Sequence, residues 1–233
     1  MVWGLKEPSS FGQFFPDGDY VGWREHLTEH FKEKMSDEEK AAADLKRPTS
    51  YIRYVTIRFR LETGVAVDGA PVLAPLEGHE LPREFRAERP IKTLGSLILL
   101  TNRLLAVDAA LKDIIETFEP GVHLFWPLRI TQANGDDYPE AFYGMVIRQF
   151  RDSFVPDASA EGAWTGDGWT YRVSIPNKKN YTGLALSGDA IGGAHLWRDR
   201  ALTDPDFFFS DDVQQAIAGA GLKIPKHYKL KVV

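Results

Sequence analysis

His26, Glu29 and His30 stand in the order H-x-x-E-H. On a helix that spacing puts both imidazoles on one face, a turn apart, with a carboxylate beside them. It is the ligand pair and general base of the inverted zinc peptidases. A working site needs a third ligand as well, and no other segment of the chain marks one. The same residues also describe a solvated flank beside the apolar stripe of Trp23, Leu27 and Phe31. A pattern this short recurs by chance. The expectation is a protein without metal, with a zinc-dependent hydrolase at His26, Glu29 and His30 as the alternative.

Other chemistries lack their residues. The absence of cysteine from all 233 residues removes disulfides, thiolate metal sites and a thiol nucleophile together. No G-x-S-x-G elbow occurs, and Ser210 reads as a helix cap rather than a nucleophile. The glycines spell neither a phosphate loop nor a dinucleotide fingerprint, so no cofactor is expected. Asp136 and Asp137 are adjacent carboxylates in a predicted turn, where solvation is the default. Sequence spacing alone fixes no separation of the kind a glycosidase pair needs.

Binding residues are better represented. In EGAWTGDGWTY, Trp164, Trp169 and Tyr171 surround glycines that cannot bury them locally, with Asp167 between. Indoles at a turn give large contact area at low entropic cost, which suits a protein interface. They could equally stack on a sugar, as in a carbohydrate-binding module, or turn inward to the core. Asp136, Asp137 and Glu140 crowd a second turn. If the two turns share a face, they offer aromatic anchors with a negative rim, suited to a basic protein partner.

The elements that would position these residues follow from composition and period. With 43% hydrophobic and 26% charged residues, the chain is an ordinary globular one. Its net charge of −5 and lack of a basic stripe argue against nucleic acid as a partner. No apolar run approaches the roughly 20 residues needed to span a bilayer. The start, MVWGLKEPSSFGQFF, has no basic stretch ahead of an apolar core. A cytoplasmic protein is therefore expected, without membrane contact.

Residues 1–20 read as an irregular arm packed by its aromatics, and residues 21–35 as a helix. Ser36 and Glu39 form a capping-box pattern for a second helix reaching about residue 46 and stopped by Pro48. In YIRYVTIRFRL, Val55, Ile57, Phe59 and Leu61 alternate with polar residues, which predicts a half-buried strand. Residues 63–90 read as long connections, and residues 91–103 are ambiguous between helix and strand. Two strand–helix–strand units follow, one around RLLAVDAALKDIIETFEPGVHLFWPLRI and one closing the chain around FFFSDDVQQAIAGAGLKIPKHYKLK. Asp108 and Ser210 take matching cap positions, Leu111 and Ile115 match Val213 and Ile217. Hairpins are predicted across residues 134–137 and at Asp167 and Gly168. The fold class is α+β, with mixed and antiparallel sheets. The chain divides into an N-terminal helical arm and first strand over residues 1–62 and an α+β unit over residues 63–233.

The first of these units, the hairpin ending in YGMVIRQF, and the later order DSFVPDAS, IGGAHLWRD, FFFSDDVQQAIAGAGLK resemble a bacterial family. It is immunity family eleven of the polymorphic toxin systems, and the resemblance covers residues 96–230. The resemblance implies a cytoplasmic protein, not an enzyme, that neutralises a cognate toxin by direct binding. The toxin would be encoded by a neighbouring gene, and such toxins are often delivered by contact-dependent or type VI secretion. The family's usual serine at the first cap is Asp108 here, which caps equally well.

Overall fold

The structure, a computed structural model, describes residues 1–61 and 73–233. Strand β1 (Val2–Leu5) and strand β2 (Gly18–Tyr20) bracket a loop rich in phenylalanine. Gly22 then turns the chain at φ 66°, a conformation that favours glycine, and helix α1 (Trp23–Glu33) buries Trp23, Leu27 and Phe31 at four-residue spacing. Helix α2 (Asp37–Ala42) carries the predicted capping box. Ser36 Oγ accepts from Glu39 N at 3.2 Å, and Glu39 Oε2 accepts from Ser36 N at 2.7 Å.

The segment predicted as a half-buried strand is instead helix α3 (Pro48–Leu61). Tyr51, Val55 and Phe59 are buried one turn apart, whereas Ile57 and Leu61 stay exposed at 38% and 37%. Val55 and Phe59 satisfy periods of two and of four alike, which is why alternation misled. Pro48 decides the matter by starting a helix rather than ending one. Its fixed φ and missing N–H suit the first turn. Ser50 Oγ accepts from Lys46 N and Arg47 N, at 3.2 and 3.1 Å, and anchors that turn.

Part of the connection expected over residues 63–90 lies outside the described residues. Within the rest, strand β3 (Glu84–Ala87) forms, so the stretch is not connection alone. The ambiguous run resolves into strand β4 (Leu97–Leu99) and a single 3-10 turn at Thr101–Arg103. Strand β5 (Leu105–Asp108), helix α4 (Ala109–Phe118) and strand β6 (Leu124–Thr131) make the first predicted unit. Asp108 Oδ1 accepts from Leu111 N at 2.8 Å, closing the cap. Strand β7 (Phe142–Val146) pairs back on β6 as the expected hairpin. Pro127 tolerates its place in β6 because β3 pairs only with Glu84↔Arg129 and onward, leaving the proline's other edge free. Gly144 of β7 lies against the Trp126 indole, where a Cβ would come within 2.3 Å of a ring carbon.

Strand β8 (Phe150–Arg151) leads to the ribbon β9 (Trp164–Gly166) and β10 (Tyr171–Val173). Helix α5 (Lys178–Thr182), strand β11 (Ala185–Leu186), helix α6 (Gly188–Ile191) and strand β12 (Leu196–Asp199) follow. The second unit is strand β13 (Phe208–Ser210), helix α7 (Asp211–Gly219) and strand β14 (His227–Val232). Ser210 Oγ accepts from Val213 N at 3.2 Å, so both caps stand as predicted.

The two units share more than their caps. In the first sheet, ordered β2-β3-β6-β7-β5-β4, strands β5 and β6 are both antiparallel to β7 and flank it. In the second, ordered β11-β14-β1-β13-β12-β8, strands β13 and β14 are both antiparallel to β1 and flank it. The chain's first strand therefore occupies the place in the second unit that β7 holds in the first.

Side chains alternating along the strands define the layers. Ile98, Leu104, Ala106, Trp126 and Leu128 face α1 and α3. Leu97, Leu99, Leu105, Val107 and Met145 face the other way, onto Leu111 and Ile115 of α4 and Val213 and Ile217 of α7. Those two helices are sandwiched against Leu5, Leu196, Phe207 and Phe209 of the second sheet. The outer face of that sheet, with Val2, Trp197, Phe208 and Leu230, is covered by Tyr181 of α5 and Val173 of β10. The result is an α+β fold in which both sheets pack on one shared helical layer. Replacing Ile217 by alanine should cost about 2–5 kcal/mol, and Ser210 by alanine about 0.5–2 kcal/mol, in urea unfolding. An Ile217→Ala variant as stable as the native protein would show α7 to be peripheral.

Candidate functional site

The β9–β10 ribbon presents the aromatic residues. Asp167 Oδ1 accepts from Trp169 N at 2.9 Å and Thr170 N at 2.8 Å, which closes the turn around Gly168 at φ 96°. Those N–H donors hold the Asp167 carboxyl below the usual range, the Thr170 bond first. Beneath the turn, Trp164 packs edge-on to Tyr171, with ring centroids 5.2 Å apart, and to Phe154 at 5.9 Å. Tyr171 N donates to Ala201 O at 2.8 Å and Thr203 N to Tyr171 O at 2.8 Å, fastening the ribbon to the loop after β12. Trp169 alone of the pair projects outward, 65% exposed. Trp164 and Tyr171 form the base on which it stands.

That base is itself tied down. Asp199 Oδ2 accepts from Ser153 N, Ser153 Oγ and Phe154 N at 2.7, 2.8 and 2.9 Å. Its Oδ1 accepts from Ala201 N and Leu202 N, both at 2.9 Å. One buried carboxylate thus organises both segments that hold the ribbon.

The acidic turn belongs to the β6–β7 hairpin. Asp136 N donates to Asn134 Oδ1 at 3.1 Å, and Asn134 Nδ2 to Asp136 Oδ2 at 2.7 Å. Asp137 accepts from Arg129 Nε at 2.6 Å, and Arg129 also pairs with Glu84 at 3.0 Å. The carboxylates raise the Arg129 guanidinium further, Asp137 foremost. Asp136, Asp137 and Glu140 are exposed, with Arg129 offsetting part of their charge. This hairpin extends the first sheet, whereas the Trp169 ribbon covers the outer face of the second. The predicted residues therefore fall into two groups on different layers: Trp164, Asp167, Trp169 and Tyr171, and separately Asp136, Asp137 and Glu140.

The H-x-x-E-H segment acquires an unexpected neighbour. His79 stacks on His30, with ring centroids 3.8 Å apart and planes 21° from parallel, and lies 6.5 Å from the His26 ring. Tyr51 Oη donates to Glu80 Oε1 at 3.0 Å, so His79 Nε2, 2.9 Å away, must donate to Tyr51. Stacked rings turn faces, not nitrogen lone pairs, toward each other. Glu29 lies on a shallow groove with Arg24, Thr28 and Lys32. Among the described residues, no three histidines or carboxylates are arranged to hold a metal ion.

Burial, then His79, His26 and Lys34, lower the His30 pKa, with Glu77 opposing. A histidine with a folded pKa below its unfolded one binds fewer protons folded than unfolded between the two. Stability then falls as pH drops through the ordinary histidine value and levels off below the folded one. Melting curves from about pH 7.5 to about pH 5 should show this loss, and His30→Gln should reduce it. Equal slopes for both proteins would contradict this account of the stack.

Both sheets are also joined through a carboxylate at the end of α4. Glu119 accepts from His123 Nε2 at 2.7 Å, His195 N at 2.6 Å, Gln149 Nε2 at 2.6 Å and Leu196 N at 3.1 Å. Burial pushes its pKa up, but these donors outweigh burial and hold it below the usual range. His123 Nδ1 accepts from Arg148 N at 3.3 Å, so Nε2 is the nitrogen that donates to Glu119. This network fixes the two sheets relative to the shared helices.

With both units and both turns in place, the match to known families is specific. The family model described as "Immunity protein family (Imm11)" matches residues 74–229. The chain belongs to this family. No curated protein matches it. The Imm11 match takes in the first strand–helix–strand unit, the second as far as the start of β14, the acidic turn and the Trp169 ribbon, while His26, Glu29 and His30 lie outside it. Among the described residues, no helix is long and apolar enough to cross a membrane.

Asp199, Glu119, Arg198 and Asp206 were not singled out by spacing. A signal was present in RDRALTDPD, a dense run of charges between two strands. Of that run, Arg198, Asp199 and Asp206 are buried.

Proposed function

We propose that this Imm11 protein neutralises a cognate bacterial toxin by binding it directly, in the cytoplasm, without a catalytic step of its own. The toxin is encoded by a neighbouring gene and delivered between cells, as by type VI secretion. Family membership supports the immunity role. The contact is centred on the tip of the β9–β10 ribbon. The observation that carries this assignment is Trp169, 65% exposed on a turn whose base is locked by Asp167, Trp164 and Tyr171. A large aromatic side chain presented outward from a backbone that is already fixed suits an interface anchor, since little backbone entropy is lost on binding. Asp167 supplies a fixed negative charge beside it, and the acidic turn of Asp136, Asp137 and Glu140 offers a second contact from the first sheet.

The test is co-expression of the neighbouring toxin with this chain in a sensitive host. Wild-type protein should restore growth and co-purify with the toxin, and folded Trp169→Ala should protect less. Asp136→Lys/Asp137→Lys should chiefly slow association and change its salt dependence. Full protection by Trp169→Ala would place the interface elsewhere, and no protection by the wild type would remove the immunity reading.

A further inference from the structure

We propose that the outer edge of β9 is an open strand position, filled by an extended segment of the toxin through main-chain pairing, an inference that rests on the immunity reading. Strands β9 and β10 pair in the register Trp164↔Val173, Thr165↔Arg172 and Gly166↔Tyr171. Ser174 N donates to Ala163 O at 3.0 Å and Asp167 N to Thr170 O at 3.3 Å, two positions to either side of Thr165. Bonded positions alternate in an antiparallel pair, so Thr165 and Arg172 point their amides and carbonyls at each other. Trp164 and Gly166 then turn theirs away from β10. On β10 the corresponding groups are in use: Tyr171 N donates to Ala201 O and Tyr171 O accepts from Thr203 N, both at 2.8 Å. The ribbon is closed on one side by the chain's own loop and open on the other. Among the described residues, the amides and carbonyls of Trp164 and Gly166 have no hydrogen-bond partner.

That edge is accessible and already ordered. Thr165 and Gly166 are exposed, and exposure of a glycine is exposure of its backbone. A Cβ at Gly166 would come within 2.3 Å of Thr170 O and 2.6 Å of Tyr171 Cδ1, so only glycine lets the tyrosine ring close over the strand. Trp164 packs on Phe154 and Tyr171 beneath it. The usual protections of an edge strand are missing, since β9 reads Trp-Thr-Gly, without proline, lysine or a bulge. The edge strand β4 shows the contrast. Its free side is covered by the phenylalanine-rich loop, with Leu99 N donating to Phe14 O and Gly95 N to Gln13 O, both at 2.9 Å.

The pattern of unpaired groups identifies the occupant. Outward amides and carbonyls two residues apart match an extended backbone, which a helix does not offer because its own are internally bonded. The edge runs into the tip that carries Trp169, so one segment lying along β9 also reaches the exposed indole. A second copy would bring only the same three residues to the pairing, few beside the about 20–30 per side of a standard interface.

Amide hydrogen exchange of the intact protein tests this, with the purified neighbouring toxin domain as the probe. In the free protein the Trp164 and Gly166 amides should exchange about tenfold or more faster than those of Thr165 and Asp167, which are bonded within the ribbon. In the complex both should slow by about tenfold or more. N-methylation of the Gly166 amide, introduced by ligation, removes the outward donor without adding a Cβ. It should leave the melting temperature unchanged and weaken toxin binding about tenfold. Toxin binding that leaves both amides fast, or that tolerates the N-methyl group, would overturn the edge proposal and leave the immunity reading standing. Slow exchange of both amides in the free protein would also overturn it, showing the edge closed by this chain, or by a second copy where the slowing depends on concentration. If the wild type does not bind the toxin, the immunity reading fails, and the toxin as occupant with it.

Discussion

Replacing Asp206 by alanine is expected to cost about 3–5 kcal/mol of folding stability, among the largest effects of any single substitution here. Its carboxylate is buried and takes Arg198 Nη1 at 2.7 Å and Arg60 Nη2 at 2.6 Å, with Arg103 at 3.8 Å. Removing it leaves a buried guanidinium without its counter-charge, and the penalty is that of the stranded arginine more than of the lost bond. The double change Asp206→Leu/Arg198→Met should recover much of the loss, because the guanidinium that Asp206 leaves fully buried is removed with it, while Arg60 retains some access to water. Burial alone would raise the Asp206 pKa, but Arg198 and Arg60 outweigh it and hold the carboxyl far below the usual range. A carboxylate depressed in the folded state stabilises above its unfolded pKa, and that stability disappears as pH falls toward the folded one. Wild type should therefore lose stability progressively below about pH 4, and Asp206→Ala should lose less over the same interval. A single variant within about 1 kcal/mol of wild type would mean that water or movement relieves Arg198.

Trp169→Ala should leave the melting temperature unchanged, because the indole is 65% exposed, while weakening toxin binding by about 2 kcal/mol or more, or about thirtyfold. Trp164→Ala should do the reverse in kind, lowering stability by unpacking Phe154 and Tyr171. The two tryptophans were equivalent on the page of sequence. Their roles separate because Phe154 and Tyr171 pack against the Trp164 indole and not against that of Trp169.

What was legible followed the range of the interactions. The caps at Asp108 and Ser210, and the paired apolar residues after them, lie within one helical turn, so spacing suffices to place them. The hairpin at Asp167 and Gly168 is local in the same sense. The strand expected over residues 51–61 failed because Val55 and Phe59 fit both periods; Pro48 in the first turn is the local sign of a helix, and the packing of Tyr51 against α1 and the pairing of Arg58 with Glu80 complete the distinction. The role of β1 was hidden for a different reason. Val2 pairs with Ser210 on one side and Leu230 on the other, contacts between opposite ends of the chain. The Arg60–Asp206 pair spans 146 positions, so it has no local signature. Likewise His79 joined His26 and His30 from another segment, and its stacking, not its presence, decided what that cluster can do.

Isothermal titration of the purified chain into the purified toxin domain encoded beside it tests the central claim most directly, with Trp169→Ala measured in parallel. The account predicts a saturable one-to-one complex for the wild type, with affinity reduced about thirtyfold in the folded variant. Absence of heat and of complex with the wild-type protein, when both components are folded, would contradict neutralisation by direct binding.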